Sequence, residues 1–377
     1  MAVNELFSRL RDSLNLSLLR RPGFPPEYLV YFVTNRCNAR CPHCFFWQSL
    51  NRSIDSELSV SEIKKMLADN VYFESVSLTG GEPTLRDDLM DIGRLFLSRS
   101  ASLTLVTNGA FPDKVYAVLK ELSREKSKKL YLQLSLEGLE KTHDAIRGSG
   151  SFAKILETLE KLKPLEGVKI YLVTTLSRLN SSDIVAMIEY FSKYGLEHRF
   201  NIARGVDNSL FGLDKDFVNN HTPENFQANY LSIEEINNIH SVLTELNRKI
   251  GFWTEHNRLV MKYSLDILKS RKRQLRCYAG IRDSVLYPNG DVAFCEFMRP
   301  FANIRDFDYS LRALWRSSRA GESRRHIRDC CCIHSCNLST SITHDPSLPF
   351  NEIKKRGVKG NLASLRRAAA NIIRGAH

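Results

Sequence analysis

Residues 37–44 read CNARCPHC, and this octapeptide is the strongest indication of fold and chemistry in the chain. It spaces three thiols, Cys37, Cys41 and Cys44, as C-x3-C-x2-C, directly after the apolar run 28–33 that predicts a first β-strand. A cubane [4Fe-4S] cluster has four irons, and thiolates are its usual protein ligands. Three cysteines leave one of those irons open to a small chelating molecule, whereas a four-cysteine site is closed.

Two other interpretations of the octapeptide stay open at this point. His43 could complete a tetrahedral zinc site with the thiols, although the adjacent His43 and Cys44 would chelate one ion awkwardly. Cys41 and Cys44 could form a thioredoxin-type redox pair, which would leave Cys37 idle. The iron–sulfur interpretation uses all three cysteines.

The sequence around the octapeptide alternates short β-rich runs with helical segments. The predicted strands are 28–33, 75–79, 103–107, 130–136, 169–175 and 198–203, and the predicted helices between them are 61–68, 89–98, 113–124, 152–162 and 182–194. Ser59 and Glu62 form a capping-box pattern at the first of these helices. Six β-α units predict an α/β fold with a parallel sheet, curled into a full or partial barrel, with the site at the carboxyl ends of the strands.

The remainder of the chain predicts smaller units. A polar stretch, 205–230, predicts a loop over the strand ends, and the run around Asn289 and Gly290 predicts a β-hairpin with a type I′ turn. The predicted division of the chain is a basic amphipathic helix at 1–26, the barrel at 27–232, a helical linker at 233–275, a small cysteine-bearing hairpin and helix domain at 276–340 and a basic tail at 341–377.

Composition narrows the class of protein. The chain has 377 residues, a net charge of +12 that is concentrated at its two ends, and nine cysteines, an odd number that favours metal or redox chemistry over a disulfide framework. No apolar run approaches the roughly 20 residues of a membrane-spanning helix, and the start lacks a signal-peptide pattern. We therefore expect a cytoplasmic protein whose basic amphipathic ends could contact a membrane surface, and we expect no specific nucleic-acid partner.

The octapeptide and a second motif together resemble the radical S-adenosylmethionine (radical SAM) superfamily. The second motif is Gly80-Gly81-Glu82-Pro83, at the end of the second predicted strand. The resemblance covers about residues 28–203 and implies a partial (β/α)6 barrel. It also implies that Cys37, Cys41 and Cys44 hold a [4Fe-4S] cluster whose open iron is chelated by SAM, and that one electron cleaves SAM to methionine and a 5′-deoxyadenosyl radical.

The resemblance further implies which residues hold SAM. Glu82 is expected to accept hydrogen bonds from the ammonium group of SAM, and Gly80 and Gly81 to let the backbone approach it closely. Ser135 and Arg147 are expected to hold SAM through a hydroxyl and a guanidinium, in a segment similar to radical SAM enzymes with extra clusters. Three further candidates for cofactor contact are His43 beside the adenine, Asn108 at the third strand end and the backbone of Ala203.

The later cysteines resemble the SPASM and twitch domains of the same superfamily, which carry auxiliary iron–sulfur clusters. Cys277 and Cys295 form the pattern C-x12-G-x4-C, and four more cysteines lie at 330–332 and 336. The number fits the shorter twitch form with one auxiliary cluster. Cys332 and Cys336 are the first choice to complete the site, with Cys330 or Cys331 as replacements, and structural zinc is the alternative.

Glu296 directly follows Cys295. In anaerobic sulfatase-maturating enzymes, which share this hairpin, a carboxylate in that position takes a proton from the substrate, so the resemblance implies that Glu296 is a general base. We therefore predict a radical SAM enzyme of the oxidoreductase type, served by a reductant such as flavodoxin or ferredoxin. Its substrate would be a sugar or aminocyclitol, a peptide or a lipid precursor. The alternative is a non-catalytic iron–sulfur or zinc protein that transfers electrons or acts as a scaffold.

Overall fold

A computed structural model describes residues 25–52, 56–204, 210–211, 226–327, 330–345 and 348. Most of the predicted amino-terminal helix, of the predicted loop at 205–230 and of the predicted tail at 341–377 lies outside the described residues, although the first residues of the tail belong to a helix that ends at His344. Among the helices of the described ranges, none is long and apolar enough to cross a membrane.

One mixed sheet of nine strands forms the centre of the fold. Its strands are β1 (Tyr28–Thr34), β2 (Ser75–Gly80), β3 (Ser102–Thr107), β4 (Lys129–Ser135), β5 (Val168–Leu176), β6 (Glu197–Ile202), β8 (Asp283–Leu286), β9 (Asp291–Ala293) and β10 (Ala302–Asn303). A separate two-stranded sheet pairs β7 (Leu210–Phe211) with β11 (Cys331–Cys332). Strands β1 to β6 are parallel and lie in chain order, whereas β6 and β10 are the two ends of the sheet. The sheet described here is therefore not closed, and the predicted partial (β/α)6 barrel is confirmed.

The helices up to residue 192 follow β1 to β5 and cover one face of the sheet, and five further helices come later in the chain. They are α1 (Val60–Leu67), α2 (Leu89–Ser98), α3 (Pro112–Leu122), α4 (Glu140–Arg147), α5 (Ser151–Leu162) and α6 (Ile184–Ser192), followed by α7 (Ile233–Ile250), α8 (Glu255–Ser270), α9 (Leu311–Arg316), α10 (Ser318–Arg325) and α11 (Ser335–His344). The predicted capping box is present, because Ser59 Oγ accepts from the Glu62 amide and the Glu62 carboxylate accepts from the Ser59 amide. Helix α4, which contains Arg147, was not predicted.

The strands present two different faces because successive side chains alternate. On β4, Leu130, Leu132 and Leu134 are buried in the core beneath the helices. The alternate residues Gln133 and Ser135 line cavities on the other face. The concave face of the open barrel therefore carries polar side chains among apolar ones, and a polar ligand can bind there.

The cysteine-bearing hairpin is a continuation of the barrel sheet. Strand β8 pairs in parallel with β1, from Tyr28 with Asp283 to Tyr31 with Leu286, and β9 returns antiparallel to β8. Its turn differs from the predicted type I′ form: the Gly290 amide donates to the Tyr287 carbonyl, and only Gly290 of the turn has a positive φ, of 89°. Pro288 precedes the Asn-Gly pair and fixes a negative φ, which favours an ordinary type I turn followed by glycine. The predicted domain boundaries stay predictions.

Candidate active site

The three thiols of the octapeptide lie together on the loop that follows β1, here called the cysteine loop (residues 37–44). Asn51 fixes the loop, because its Oδ1 accepts from the Cys37 amide at 2.8 Å and its Nδ2 donates to the Cys37 carbonyl at 3.0 Å. Burial raises the pKa of Cys37 to about 11 and that of Cys44 to about 12. Burying three thiols side by side disfavours their thiolate forms unless a cation neutralises them, which is the chemistry of a metal-binding loop.

A cavity of about 230 Å³, the edge cavity, lies beside the cysteine loop at the carboxyl ends of β1 to β6. Its lining brings together all the residues that were predicted for the SAM-binding cluster and for SAM, together with the predicted base: Cys37, Cys41, Cys44, His43, Gly80, Gly81, Glu82, Asn108, Ser135, Arg147, Ala203 and Glu296. These residues come from the ends of five strands (β1 to β4 and β6), one helix and the hairpin.

The two glycines of the GGEP turn pack against the cysteine loop. A Cβ on Gly80 would lie 2.3 Å from the Thr34 carbonyl oxygen, and a Cβ on Gly81 would lie 2.2 Å from that of Arg36. The closeness lets the Gly81 amide donate to Thr34 O and the Glu82 amide donate to Arg36 O, both at 2.8 Å. The glycines thus allow two backbone segments to touch, and they fix the position of the cysteine loop relative to Glu82.

Glu82 is a buried carboxylate with a fixed orientation. Its Oε1 accepts from the Thr84 amide at 3.0 Å, from the Thr84 hydroxyl at 2.6 Å and from the Thr107 hydroxyl at 2.7 Å. Its Oε2 accepts from the Asn108 amide at 2.8 Å. The Asn108 side chain in turn donates to Asn38 Oδ1 at 2.9 Å, which ties the end of β3 to the cysteine loop. With one donor among the described residues, Oε2 keeps capacity for an ammonium group.

Arg147 is held by Glu137, a contact that the sequence did not suggest. Arg147 donates to Glu137 Oε1 through Nη2 at 2.7 Å and through Nε at 3.2 Å, and the Thr175 amide donates to Glu137 Oε2 at 2.9 Å. Burial alone would raise the pKa of Glu137, but His43 and Arg147 hold that pKa well below its usual range. Glu137 follows Ser135 by two residues and so shares its face of the strand end, which is the signal that could have found it.

His43 and Ser135 offer polar atoms to the edge cavity. His43 Nε2 lies 3.5 Å from Glu137 Oε1, whereas its Nδ1 is buried with no hydrogen-bond partner in the part of the chain that the structure describes. The Ser135 hydroxyl lines the same cavity. An orphaned buried ring nitrogen beside three thiols fits a cavity that takes a polar ligand at a metal centre.

A second group of thiols surrounds Arg273. Its guanidinium lies close to Cys277, Cys295, Cys330 and Cys332, whose charges raise the pKa of Arg273 against the effect of burial, and its Nη1 is 3.7 Å from Cys332 Sγ. A hydrogen bond from Cys330 lowers the pKa of Cys332 well below its usual value. Cys331 and Cys332 form β11, and Cys331 is also within electrostatic reach of Arg273.

The thiol of Cys336 lies beside Glu296 and His334. The possible metal-ligating atoms of these three residues are all within 4.8 Å of one another. Cys336 is exposed, whereas the thiols of Cys295 and Cys332 are buried. Cys330 therefore lies with the thiols near Arg273 through its hydrogen bond to Cys332, whereas Cys336 and Cys295 both lie beside His334.

Glu296 joins the two groups of thiols. It lines the edge cavity, and its Oε2 lies 3.3 Å from His334 Nε2. Burial alone would raise the pKa of Glu296, but His334 and Arg204 hold that pKa below its usual value. Arg204, which the sequence did not suggest, lies 4.6 Å above the Phe297 ring and lines the same cavity. A carboxylate kept in its charged form beside the cavity can accept a proton.

A larger space, the inner cavity of about 310 Å³, lies nearer the amino ends of the strands. It is lined by Tyr28 and Ser75, which begin β1 and β2, and by Cys295, His334 and Cys336 from the cysteine-bearing unit. The cysteine loop lies at the opposite, carboxyl ends of the strands, so the inner cavity is separate from the predicted SAM-binding site.

Together, the fold and the site define a class of metalloprotein with an open parallel barrel and a three-thiol centre at its carboxyl edge. Residues 31–191 match the family model described as the Radical SAM superfamily, which confirms the predicted radical SAM domain in this part of the chain. The predicted [4Fe-4S] cluster with SAM is thereby confirmed as the cofactor of this domain.

Individual relatives differ in how much of the chain they match. Fe-coproporphyrin III synthase of Methanosarcina barkeri is 33% identical over 185 residues, which are 48% of this chain and 45% of that protein. The sporulation killing factor maturation protein SkfB of Bacillus subtilis is 23% identical over 340 residues, which are 87% of this chain and 72% of that protein. The chain spans about half the length of the curated relatives with which its match is strongest.

Solved structures resemble the chain over most of its length. Streptococcus suis SuiB bound to the precursor peptide SuiA has a TM-score of 0.60 at 14% identity, covering 85% of this chain and 70% of that one. Native anSMEcpe with bound AdoMet has a TM-score of 0.59 at 18% identity, covering 79% and 83%. At these identities the likeness concerns the fold alone.

Proposed function

We propose that this radical SAM enzyme acts on a substrate held in the edge cavity between the cysteine loop and the cysteine-bearing hairpin. The observation that carries the proposal is that Glu296 lines the same cavity as the cysteine loop, while its neighbour Cys295 belongs to the thiols around Arg273. A substrate in that cavity therefore lies beside a base and beside a second metal-binding group.

Residues of this chain would hold SAM as follows. The thiols of the cysteine loop bind the cluster, Glu82 Oε2 accepts from the ammonium group, and Ser135 and the unengaged side of Arg147 bind the carboxylate and ribose region. Because Glu137 already accepts two hydrogen bonds from Arg147, that guanidinium is held in place before SAM binds. When bound, the cluster supplies the electron that cleaves SAM to methionine and a 5′-deoxyadenosyl radical, which removes a hydrogen atom from the substrate.

We propose an auxiliary iron–sulfur centre held by Cys277, Cys295, Cys330 and Cys332, here called the auxiliary centre. Four buried or half-buried thiols around one guanidinium support it, because the positive charge of Arg273 offsets part of the negative charge of a thiolate-ligated cluster. The same geometry favours Cys330 over Cys336 as the fourth ligand. A cluster held by these thiols would supply an acceptor for one electron from the substrate, and Glu296 would accept the proton.

We propose a peptide as the substrate class to test first. Support comes from SuiB, solved with a precursor peptide, from anSMEcpe, solved with the Cp18Cys peptide, and from SkfB, a maturation protein whose match covers most of the chain. The sugar or aminocyclitol and the lipid precursor are the competing classes.

Anaerobic reconstitution tests the proposal. The wild type, reconstituted with iron and sulfide and given dithionite and SAM, is expected to bind about eight irons and to release 5′-deoxyadenosine. The variant C37A/C41A/C44A should keep about four irons and release none, whereas C336A should keep the iron content of the wild type. Deuterium transferred from a labelled peptide into 5′-deoxyadenosine would identify the substrate class. Four irons in the wild type would contradict the auxiliary centre, and 5′-deoxyadenosine from the triple variant would contradict the whole proposal.

A further inference from the structure

His334 is a buried side chain that contacts both halves of the proposed chemistry. Its Nε2 lies 3.3 Å from Glu296 Oε2, at the wall of the edge cavity. Its Nδ1 lies 3.7 Å from Cys295 Sγ, one of the proposed ligands of the auxiliary centre. The ring thus spans from the base to a metal-binding sulfur.

The surrounding residues fix the ring in this orientation. The Phe297 ring packs edge-on against it, with centroids 4.8 Å apart, and Asn337 Oδ1 contacts Nδ1. Asn337 Nδ2 donates to Asp283 Oδ2 at 2.7 Å, and the Thr340 hydroxyl donates to Asp283 Oδ1 at 2.7 Å. Asp283 begins β8, so the ring is anchored to the barrel sheet. An anchored ring holds its two nitrogens towards two different partners.

We propose that His334 is a positioning residue that couples the auxiliary centre to Glu296. Its Nδ1–H is shared by Asn337 Oδ1, which also accepts from the Cys295 thiol at 3.1 Å, and by the Cys295 sulfur. This donor beside the sulfur makes the auxiliary centre easier to reduce, because hydrogen bonds to cluster sulfurs stabilise the more negative, reduced state. Its Nε2 side donates to Glu296 and aims that carboxylate into the edge cavity. The inference rests on the proposed auxiliary centre and extends it to the residue that joins electron and proton acceptors.

Two amide substitutions separate the two contacts. Asparagine places its amide nitrogen near the position of Nδ1, and glutamine places its amide nitrogen near that of Nε2. The full-length parent C37A/C41A/C44A leaves the auxiliary centre as the only cluster, so its midpoint potential can be measured by an EPR-monitored redox titration. We expect H334Q and H334F to make this potential more negative and H334N to leave it close to that of the parent. The control H326Q replaces an exposed histidine of the same unit and should change nothing.

A double-mutant cycle measures the second contact. E296Q is expected to lower the midpoint temperature of unfolding when residue 334 is histidine or glutamine, and to have little effect when it is asparagine. In the redox titration glutamine at residue 334 is expected to change the potential and asparagine is not. In the unfolding experiment asparagine is expected to abolish the effect of E296Q and glutamine is not. A general loss of packing around residue 334 cannot produce both patterns.

The outcomes separate this inference from the proposed function. A parent that holds no iron and gives no EPR signal overturns the auxiliary centre and the inference with it. A parent with a cluster whose potential is the same in H334F overturns the coupling and leaves the auxiliary centre standing. Equal shifts in H334N, H334Q and H334F also overturn the coupling, because they would report packing and not a directed hydrogen bond.

Discussion

Glu82 is oriented by its neighbours before any ligand binds. Thr84, Thr107 and the Asn108 amide donate to its carboxylate, and Oε2 has the smaller share of these donors. The side chain therefore needs no rearrangement to accept an ammonium group, and preorganisation of this kind strengthens binding.

We expect E82Q to bind SAM at least about tenfold more weakly than the wild type, since a hydrogen bond to a charged group contributes about 1.5–3 kcal/mol. Equilibrium dialysis of SAM with the reconstituted protein measures the change. The control E121Q removes a carboxylate that pairs with Arg94 on the helical surface. Unchanged SAM binding by E82Q, with full iron content, would contradict the assigned role of Glu82.

For single residues, the sequence indicates which side chains lie at strand ends better than it indicates which side chains contact one another. The cysteine loop, Glu82 and Ser135 lie at or just after the ends of strands, which local sequence patterns can indicate. The role of Glu137 depends on His43 and Arg147, which approach it from another loop and from helix α4, and no local pattern encodes that meeting. No local pattern indicates the position of Cys330 either, because Cys277 and Cys295, its proposed co-ligands, lie far from it in the chain.

The turn after β2 holds the cysteine loop in position. Gly80 and Gly81 lie against the backbone of Thr34 and Arg36, so a side chain at either position would displace the cysteine loop. Sequence reasoning attributed the two glycines to ligand approach, because it could not show that the backbone of another loop occupies the space beside them.

We expect G81A to lower both iron content and stability, because its methyl group would lie 2.2 Å from the Arg36 carbonyl oxygen. Overpacking of this kind costs about 1–3 kcal/mol. Iron analysis after reconstitution and urea unfolding of the apoprotein measure the two effects. The matched control is G321A in α10, where an added Cβ meets nothing within 4 Å. Full iron loading of G81A would show that the loop can move without consequence.

The prediction of elements succeeded where the signals are local. The capping box predicted at Ser59 could be recognised because it involves four consecutive residues, and Ser232 and Glu235 form a second one. Helix α4 was missed because its pattern is weakly apolar, with only His143 and Ile146 buried. The parallel pairing of β8 with β1 joins residues more than 250 positions apart, so only the folded chain reveals it.

Across the whole molecule, the barrel and the cysteine-bearing unit are joined by more than the sheet. Arg305 Nε donates to Glu62 Oε1 at 2.7 Å, and the Tyr309 hydroxyl donates to the same oxygen at 2.9 Å. Glu62 is also the capping residue of α1, so one carboxylate ties a barrel helix to the segment after β10.

The Glu62 link predicts a specific pH dependence of stability. The hydrogen bond from Arg305 lowers the pKa of Glu62 from 4.5 to about 2 in the folded protein. A lowered pKa means that the stabilisation is fully present above pH 4.5 and is lost as the pH falls from 4.5 towards 2. We expect the wild type to exceed E62Q by about 1–3 kcal/mol in the free energy of unfolding at neutral pH. This difference should shrink across that window.

Urea unfolding of the apoprotein between neutral pH and pH 3 measures this difference. The control E157Q removes an exposed carboxylate that pairs with Lys154 and should give a small difference that is independent of pH in this window. If the difference in the free energy of unfolding between the wild type and E62Q stayed constant down to pH 3, the ion pair would be ruled out as its cause.

The pairing of β1 between β2 and β8 has a consequence for the order of events during protein synthesis. The ribosome delivers β1 and the cysteine loop early, but one edge of β1 has no partner until residues 283–286 emerge from the exit tunnel. The nascent chain therefore exposes an unpaired strand edge beside three reactive thiols for most of its translation.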